Sequence, residues 1–157
     1  MSKSEIEAHI LKAEAHKVAI KHLEENLAQV NQFIANIRDD EDGVKQGEIE
    51  PETLSHNTED QDMTLAMQQK ANLIKAQIKL INGYKNAKPT AIVDPGSLVF
   101  VQDHVFYIST SVESFNHKGY KITCLSVEAP IYKAMKGLTT GDTFEYNGRS
   151  YTIKKIA

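Results

Sequence analysis

Apolar residues in the first third of the chain recur at alternating spacings of three and four: Ile20, Leu23, Leu27, Val30, Ile34 and Ile37. This is the a/d seam of a coiled coil, in which one stripe of a helix is buried against a partner. Ile6, Ile10 and Ala13 continue it more weakly toward the N-terminus. Glycine and proline are absent from 4–38, so the pattern predicts one helix of about 33 residues, roughly 50 Å long. A second seam follows at Met63, Met67, Ala71, Ile74, Ile78 and Ile81. Thr58 with Gln61 fits a capping box, and Glu59 and Asp60 in the first turn suit the positive end of the helix dipole. Gly83 and Pro89 end the helix. Two consecutive helices with one apolar face each are best buried against each other as an antiparallel coiled-coil hairpin over 1–88, with a tip loop at 38–57. A parallel dimer through either helix is the competing arrangement.

Beyond Pro89 the period changes to two. Short apolar runs at 98–101 and 105–109, separated by Gln102-Asp103-His104, predict a hairpin, and 120–127 predicts a third strand. Residues 130–136 read as a short helix with proline in its first turn and Gly137 at its end. Strands at 144–146 and 150–156 flank Asn147-Gly148, a strong two-residue hairpin signal. The expected fold class is therefore α+β: the hairpin, a linker at 89–95 holding Pro89 and Pro95, and a small, mainly antiparallel domain at 96–157. About 60 residues is near the lower limit for independent folding.

Composition excludes several classes. The chain has 157 residues, 41% hydrophobic and 25% charged, which argues against general disorder. It contains no apolar run near 18 residues, and its first twelve residues have neither the apolar core nor the cleavage site of a signal peptide. The single cysteine, Cys124, excludes an internal disulfide framework and a cysteine-rich zinc site, and alternation with Ile122 makes it a buried thiol. These features place the protein in the cytoplasm, away from membranes.

The net charge of −3 is unevenly spread. Segment 38–57 alone carries seven carboxylates and two cations, whereas 58–88 and 96–157 are each +2. The acids are Asp39, Asp40, Glu41 and Asp42 on one side and Glu48, Glu50 and Glu52 on the other, with Glu59 following. Carboxylates are hard oxygen ligands, so such a group could hold Mg²⁺; a charge run is equally a solvated face. Lys70, Lys75, Lys79, Lys85 and Lys88 could meet RNA phosphates or simply solubilise the helix. His9 and His16 share the face of Leu23, Val30 and Ile37; their spacing does not suit a metal site on one helix, and they read as surface or seam.

Residues 120–156 resemble the C-terminal domain of the bacterial GreA/GreB transcript-cleavage factor family. The resemblance rests on Ala129-Pro130-Ile131-Tyr132-Lys133-Ala134-Met135-Lys136-Gly137, then Gly141-Asp142, Phe144-Glu145-Tyr146 and Tyr151-Thr152-Ile153-Lys154-Lys155-Ile156. Ala129 stands where the family usually has serine. Gly96-Ser97-Leu98-Val99-Phe100-Val101 is similar to that domain's first strand. The resemblance implies an FK506-binding-protein-like (FKBP-like) fold behind a helical hairpin. It also implies docking on RNA polymerase at the rim of the secondary channel, with Pro130, Ile131, Lys133 and Asp142 as contact residues; read from the residues alone, Ile131 and Met135 equally cover the sheet and Asp142 shapes the Gly141-Asp142 turn. The protein would act as a monomer with no cofactor of its own, sharing Mg²⁺ with the polymerase and reaching RNA in the channel.

In cleavage-active members, acids at the tip help hold a second Mg²⁺ that activates water for attack on the phosphodiester. Their second helix opens with Asp-x-x-Glu-Asn-x-Glu. Here the counterpart is Thr53-Leu54-Ser55-His56-Asn57-Thr58-Glu59, which puts Thr53 and His56 at the acids' positions. The expectation is a divergent, non-enzymatic elongation regulator with weak or no stimulation of cleavage. One alternative is an active cleavage factor using the displaced tip carboxylates. Another is a protein-binding adaptor or prolyl isomerase, although the domain is small and the chain has no tryptophan.

Overall fold

A computed structural model describes residues 3–44, 51–88, 90–102 and 104–157, with side chains at all of these except 39–44, 51–58 and 60. Two long helices come first, α1 (Lys3–Val44) and α2 (Pro51–Gly83). They are followed by β1 (Leu98–Val101), β2 (His104–Ile108), β3 (Val112–His117), β4 (Tyr120–Leu125), α3 (Pro130–Met135), β5 (Thr143–Tyr146) and β6 (Arg149–Ile156). The architecture is α+β, and none of the described helices is long and apolar enough to cross a membrane. The chain divides into two compact units, Met1–His22 with Gln77–Ala157, and Leu23–Ala76.

Both helices exceed their expected ends. α1 passes Arg38 and runs through the Asp39–Asp42 carboxylates to Val44, while α2 begins at Pro51 rather than at Thr58. Only 45–50 remains between them, against an expected loop of 38–57. Aspartate and glutamate are acceptable inside a helix, and their mutual repulsion amounts to a few tenths of a kcal/mol per pair. Gly43 is the first poor helix former after Arg38. Pro51 stands at the first helical position, where its fixed φ is already helical and its missing N–H is not needed.

In the unit Leu23–Ala76 the expected seam is largely present. Leu23, Val30, Ile34 and Ile37 of α1 are buried, as are Ala71 and Ile74 of α2. Ile34, Ala35 and Ala71 line one crevice. Met63 is the exception, 46% exposed.

In the other unit the N-terminal seam differs from expectation. Ile6 and Ile10 are 45% and 48% exposed and Ala13 is also exposed, while Ala8, Leu11, Ala15 and Ala19 are buried, together with Lys12 and His16. The partner here is a sheet rather than a second heptad helix. Branched Ile6 and Ile10 are left toward water.

The six strands form one sheet in the order β3-β4-β2-β1-β6-β5. Neighbours are antiparallel except β2 and β4, which pair in parallel from His104↔Lys121 to Ile108↔Leu125. The chain leaves β2, skips one position to form the edge strand β3, and returns as β4 into the gap. Strand β3 lies outside the expected elements. It holds only two apolar residues, Val112 and Phe115, and a register irregularity between them breaks the alternation by which strands are read. The β3–β4 turn sits at Lys118 (φ 51°) and Gly119 (φ 83°), and the β5–β6 turn at Asn147 (φ 52°) and Gly148 (φ 75°). Positive φ at both central residues matches the right-handed twist of the flanking strands, which is why Asn-Gly was a reliable signal.

One face of the sheet carries the main core: Val99, Val101, Phe106, Ile108 and Ile153, closed by Tyr132 and Met135 of α3 and by Phe144. Val93, inside the 89–95 stretch read as a linker, is 1% exposed in this cluster. Its N–H donates to Leu138 O and its carbonyl accepts from Gly137 N–H. Cys124 is buried as expected, and burial pushes its thiol up to about 12.

Candidate functional site

The residues proposed to meet a partner lie on α3 and the turn after it. Ala129 occupies the N-cap with extended backbone (φ −63°, ψ 134°) and gives the helix no side-chain cap; Pro130 follows at the first helical position. The helix is short, so its two buried residues, Tyr132 and Met135, anchor it to the sheet. Ile131 is half-buried against the same core, whereas Pro130 and Lys133 are exposed and, three apart, share a helix face. Lys136 and Val127 are also exposed at the ends of this segment. The helix leaves an apolar and cationic surface on a firmly held element.

Asp142 has a structural task. Its carboxylate Oδ2 accepts from Thr139 N–H at 2.9 Å, and its own N–H donates to Thr139 O at 3.0 Å. Its carbonyl accepts from Ile153 N–H at 2.9 Å, and Gly141 N–H donates to Ile153 O at 2.8 Å. Thr139 Oγ1 in turn donates to Ala91 O at 2.7 Å. Asp142 thus ties the turn between α3 and β5 to β6, and Thr139 ties it to the segment before β1. Gly141 adopts φ 94°, which an L side chain rarely takes, so this position requires glycine.

The tip carboxylates fall differently. Asp39, Asp40, Glu41 and Asp42 lie within α1 and Glu52 within α2, but their side chains, and Glu48 and Glu50 entirely, are outside the described residues. Glu59 is exposed on α2. Among the described residues no group of three His, Cys, Asp or Glu side chains is arranged to hold a metal ion. Lys70, Lys75, Lys79, Lys85 and Lys88 are all exposed.

Three polar constellations were not foreseen. His16, 7% exposed, lies between Tyr107 and Asn82: Tyr107 OH is 3.1 Å from Nδ1, and Asn82 Oδ1 is 3.3 Å from Nε2. Burial lowers the His16 pKa and raises that of Tyr107. Glu14 accepts from His117 Nε2 at 2.8 Å and from Lys118 Nζ at 3.0 Å, and these two hydrogen bonds hold its carboxyl below the usual range. His104 Nε2, Thr123 Oγ1 and Ser114 Oγ form a chain with both links at 2.8 Å, and burial lowers the His104 pKa. In each case the partners come from separate stretches of chain, so spacing carried no signal; for His16 the seam position was the one available hint.

Against protein-family models, the chain matches no family. Against curated proteins, it has no significant match.

Proposed function

We propose that this protein is a divergent GreA/GreB-type elongation regulator that binds bacterial RNA polymerase at the secondary channel, with weak or no stimulation of transcript cleavage. The observation that carries the reading is the arrangement on the sheet: an extended Ala129, Pro130 opening α3, a Gly141-Asp142 turn bonded to β6, and a closing hairpin. This is the order of motifs by which the sequence resembles that family's C-terminal domain. Two helices of 42 and 33 residues precede it, long enough to form the antiparallel hairpin such a factor needs. In this reading the sheet domain is FKBP-like and docks through Pro130, Lys133 and the neighbouring surface of Ile131, while Asp142 positions the loop rather than touching the partner. The tip acids enter the channel, where Thr53 and His56, at the places of the usual Mg²⁺-holding acids, leave the polymerase's own metal chemistry unassisted.

The test is cleavage of 3′-labelled RNA in backtracked elongation complexes, with and without the protein, across a range of Mg²⁺ concentrations. The expected result is binding to polymerase with no acceleration, or inhibition, of cleavage. Faster release of short 3′ fragments, abolished by combined alanine substitution of Asp39–Asp42 and Glu48–Glu52, would instead make it an active cleavage factor. Absence of polymerase binding would end the reading.

A further inference from the structure

Within the unit Met1–His22 with Gln77–Ala157, the opening turns of α1 and the end of the sheet enclose a cleft of about 320 Å³. That is the lower range of small-molecule sites. Its aromatic wall is Phe100 and Tyr120, set edge to face with ring centroids 5.7 Å apart. Its aliphatic wall is Leu11 and Ile10, and Ile10 is left 48% exposed. Two ammonium groups, Lys118 and Lys155, stand on the same lining with one carboxylate, Glu7.

Both lysines are held in place. Lys118 is tied to Glu14 at 3.0 Å. Lys155 Nζ donates to the Ser4 carbonyl and hydroxyl and lies 5.3 Å from the centre of the Phe100 ring. These Lys155 partners are neutral, and its ammonium lines the cleft. An ammonium already ordered by its neighbours loses less side-chain freedom when it meets an anion. Phe100 and Leu11 are themselves buried, so the half-buried Tyr120 ring and the exposed Ile10 are the surfaces open to a flat apolar group, which would remove Ile10 from water. Glu7 can accept only from a donor, such as an amine or hydroxyl.

A ligand with a flat aromatic part, donor groups and one anionic end matches all of this. We propose that the cleft binds a nucleoside monophosphate, with the base against Tyr120 and Ile10 and the phosphate between Lys155 and Lys118. The site is independent of polymerase docking, because none of the α3 residues lines it.

Amide NMR of the full chain, titrated separately with AMP, adenosine and inorganic phosphate, tests this. AMP should give saturable shifts at Lys118, Tyr120 and Lys155 with a Kd below about 1 mM, and adenosine or phosphate alone should bind at least about tenfold more weakly. Lys155→Met should weaken AMP by about tenfold and Lys118→Gln by about threefold. Lys118 is an exposed turn residue, so its variant preserves the fold even where loss of the Ser4 contact disturbs that of Lys155. No saturation by about 10 mM AMP would overturn the proposal. So would equal affinity for phosphate and AMP, or AMP binding that neither substitution changes.

Discussion

Replacing Tyr107 with phenylalanine tests how the first turns of α1 are held on the sheet. Asn82 presents a carbonyl oxygen to His16 Nε2, so that nitrogen carries the proton and Nδ1 must accept from Tyr107 OH at 3.1 Å. Tyr107 is completely buried and His16 is 7% exposed, so water cannot replace the lost donor without opening the interface. An orphaned buried acceptor costs about 1–3 kcal/mol, and a loss near 1.5 kcal/mol is expected here because His16 keeps its Asn82 bond. At a urea m value of about 2 kcal/mol/M, the midpoint should fall by about 0.7 M. The chain has six tyrosines and no tryptophan, so tyrosine fluorescence reports unfolding directly.

His16→Leu removes the acceptor itself, and in the Tyr107→Phe background its effect should be smaller than in the wild type by about 1 kcal/mol. The same histidine sets a pH signature. Burial lowers its pKa in the fold, so the group contributes little slope only well above the unfolded value of about 6.5. As pH falls through about 6.5 the unfolded chain takes up a proton that the folded chain resists, and stability drops until the folded pKa is reached. His104 acts in the same direction, so His16→Leu should flatten this acid loss without abolishing it. Additive effects in the double mutant, a Tyr107→Phe change under about 0.3 kcal/mol, or an unchanged pH profile in His16→Leu would refute the account.

Lys12 is 8% exposed and makes no hydrogen bond or ion pair among the described residues. Lys12→Met should raise stability by up to about 1 kcal/mol in urea unfolding by removing a partly desolvated charge while keeping the volume. Because burial lowers the lysine's pKa, the wild type should also gain stability as pH rises toward 10.5, and the variant should lose that rise. Ala129→Ser would supply the missing cap of α3 and should add about 0.5–1 kcal/mol, read as a higher urea midpoint with an unchanged m value. The last turn of α1 contains no basic residue. Asp42→Lys should therefore add about 0.3–1 kcal/mol at low salt, and the gain should shrink in 1 M NaCl, as measured by thermal unfolding monitored by circular dichroism.

The heptad seams from Leu23 to Ile37 and from Ala71 to Ile81 were legible in the sequence because a helix buries one stripe whatever its neighbour is. The turns were legible for an equally local reason: Asn147-Gly148 needs two positive φ angles, and Pro130 and Gly137 bracket a helix by their own backbone limits. The order of strands was not local. The edge strand β3 is mostly polar, and its place beside β4 depends on main-chain bonds that any side chain permits.

The candidate site divides along the same line. Pro130 and Lys133 could be named from a motif and Asp142 from its Gly-Asp turn, but the partners that turn joins, Thr139 and Ile153, came only from the structure. The face of α1 that is buried near its N-terminus was decided by the surface it meets. There Ala8, Leu11, Ala15, His16 and Ala19 are buried and Ile6 and Ile10 are left exposed. Glu14 with His117 and Lys118, and His16 with Tyr107, are likewise pairings of residues about a hundred positions apart. Sequence alone determined which segments could form elements and where charge accumulates. Tertiary structure decided which of their faces meet, because that choice depends on the shape and chemistry of a partner surface that no single segment encodes.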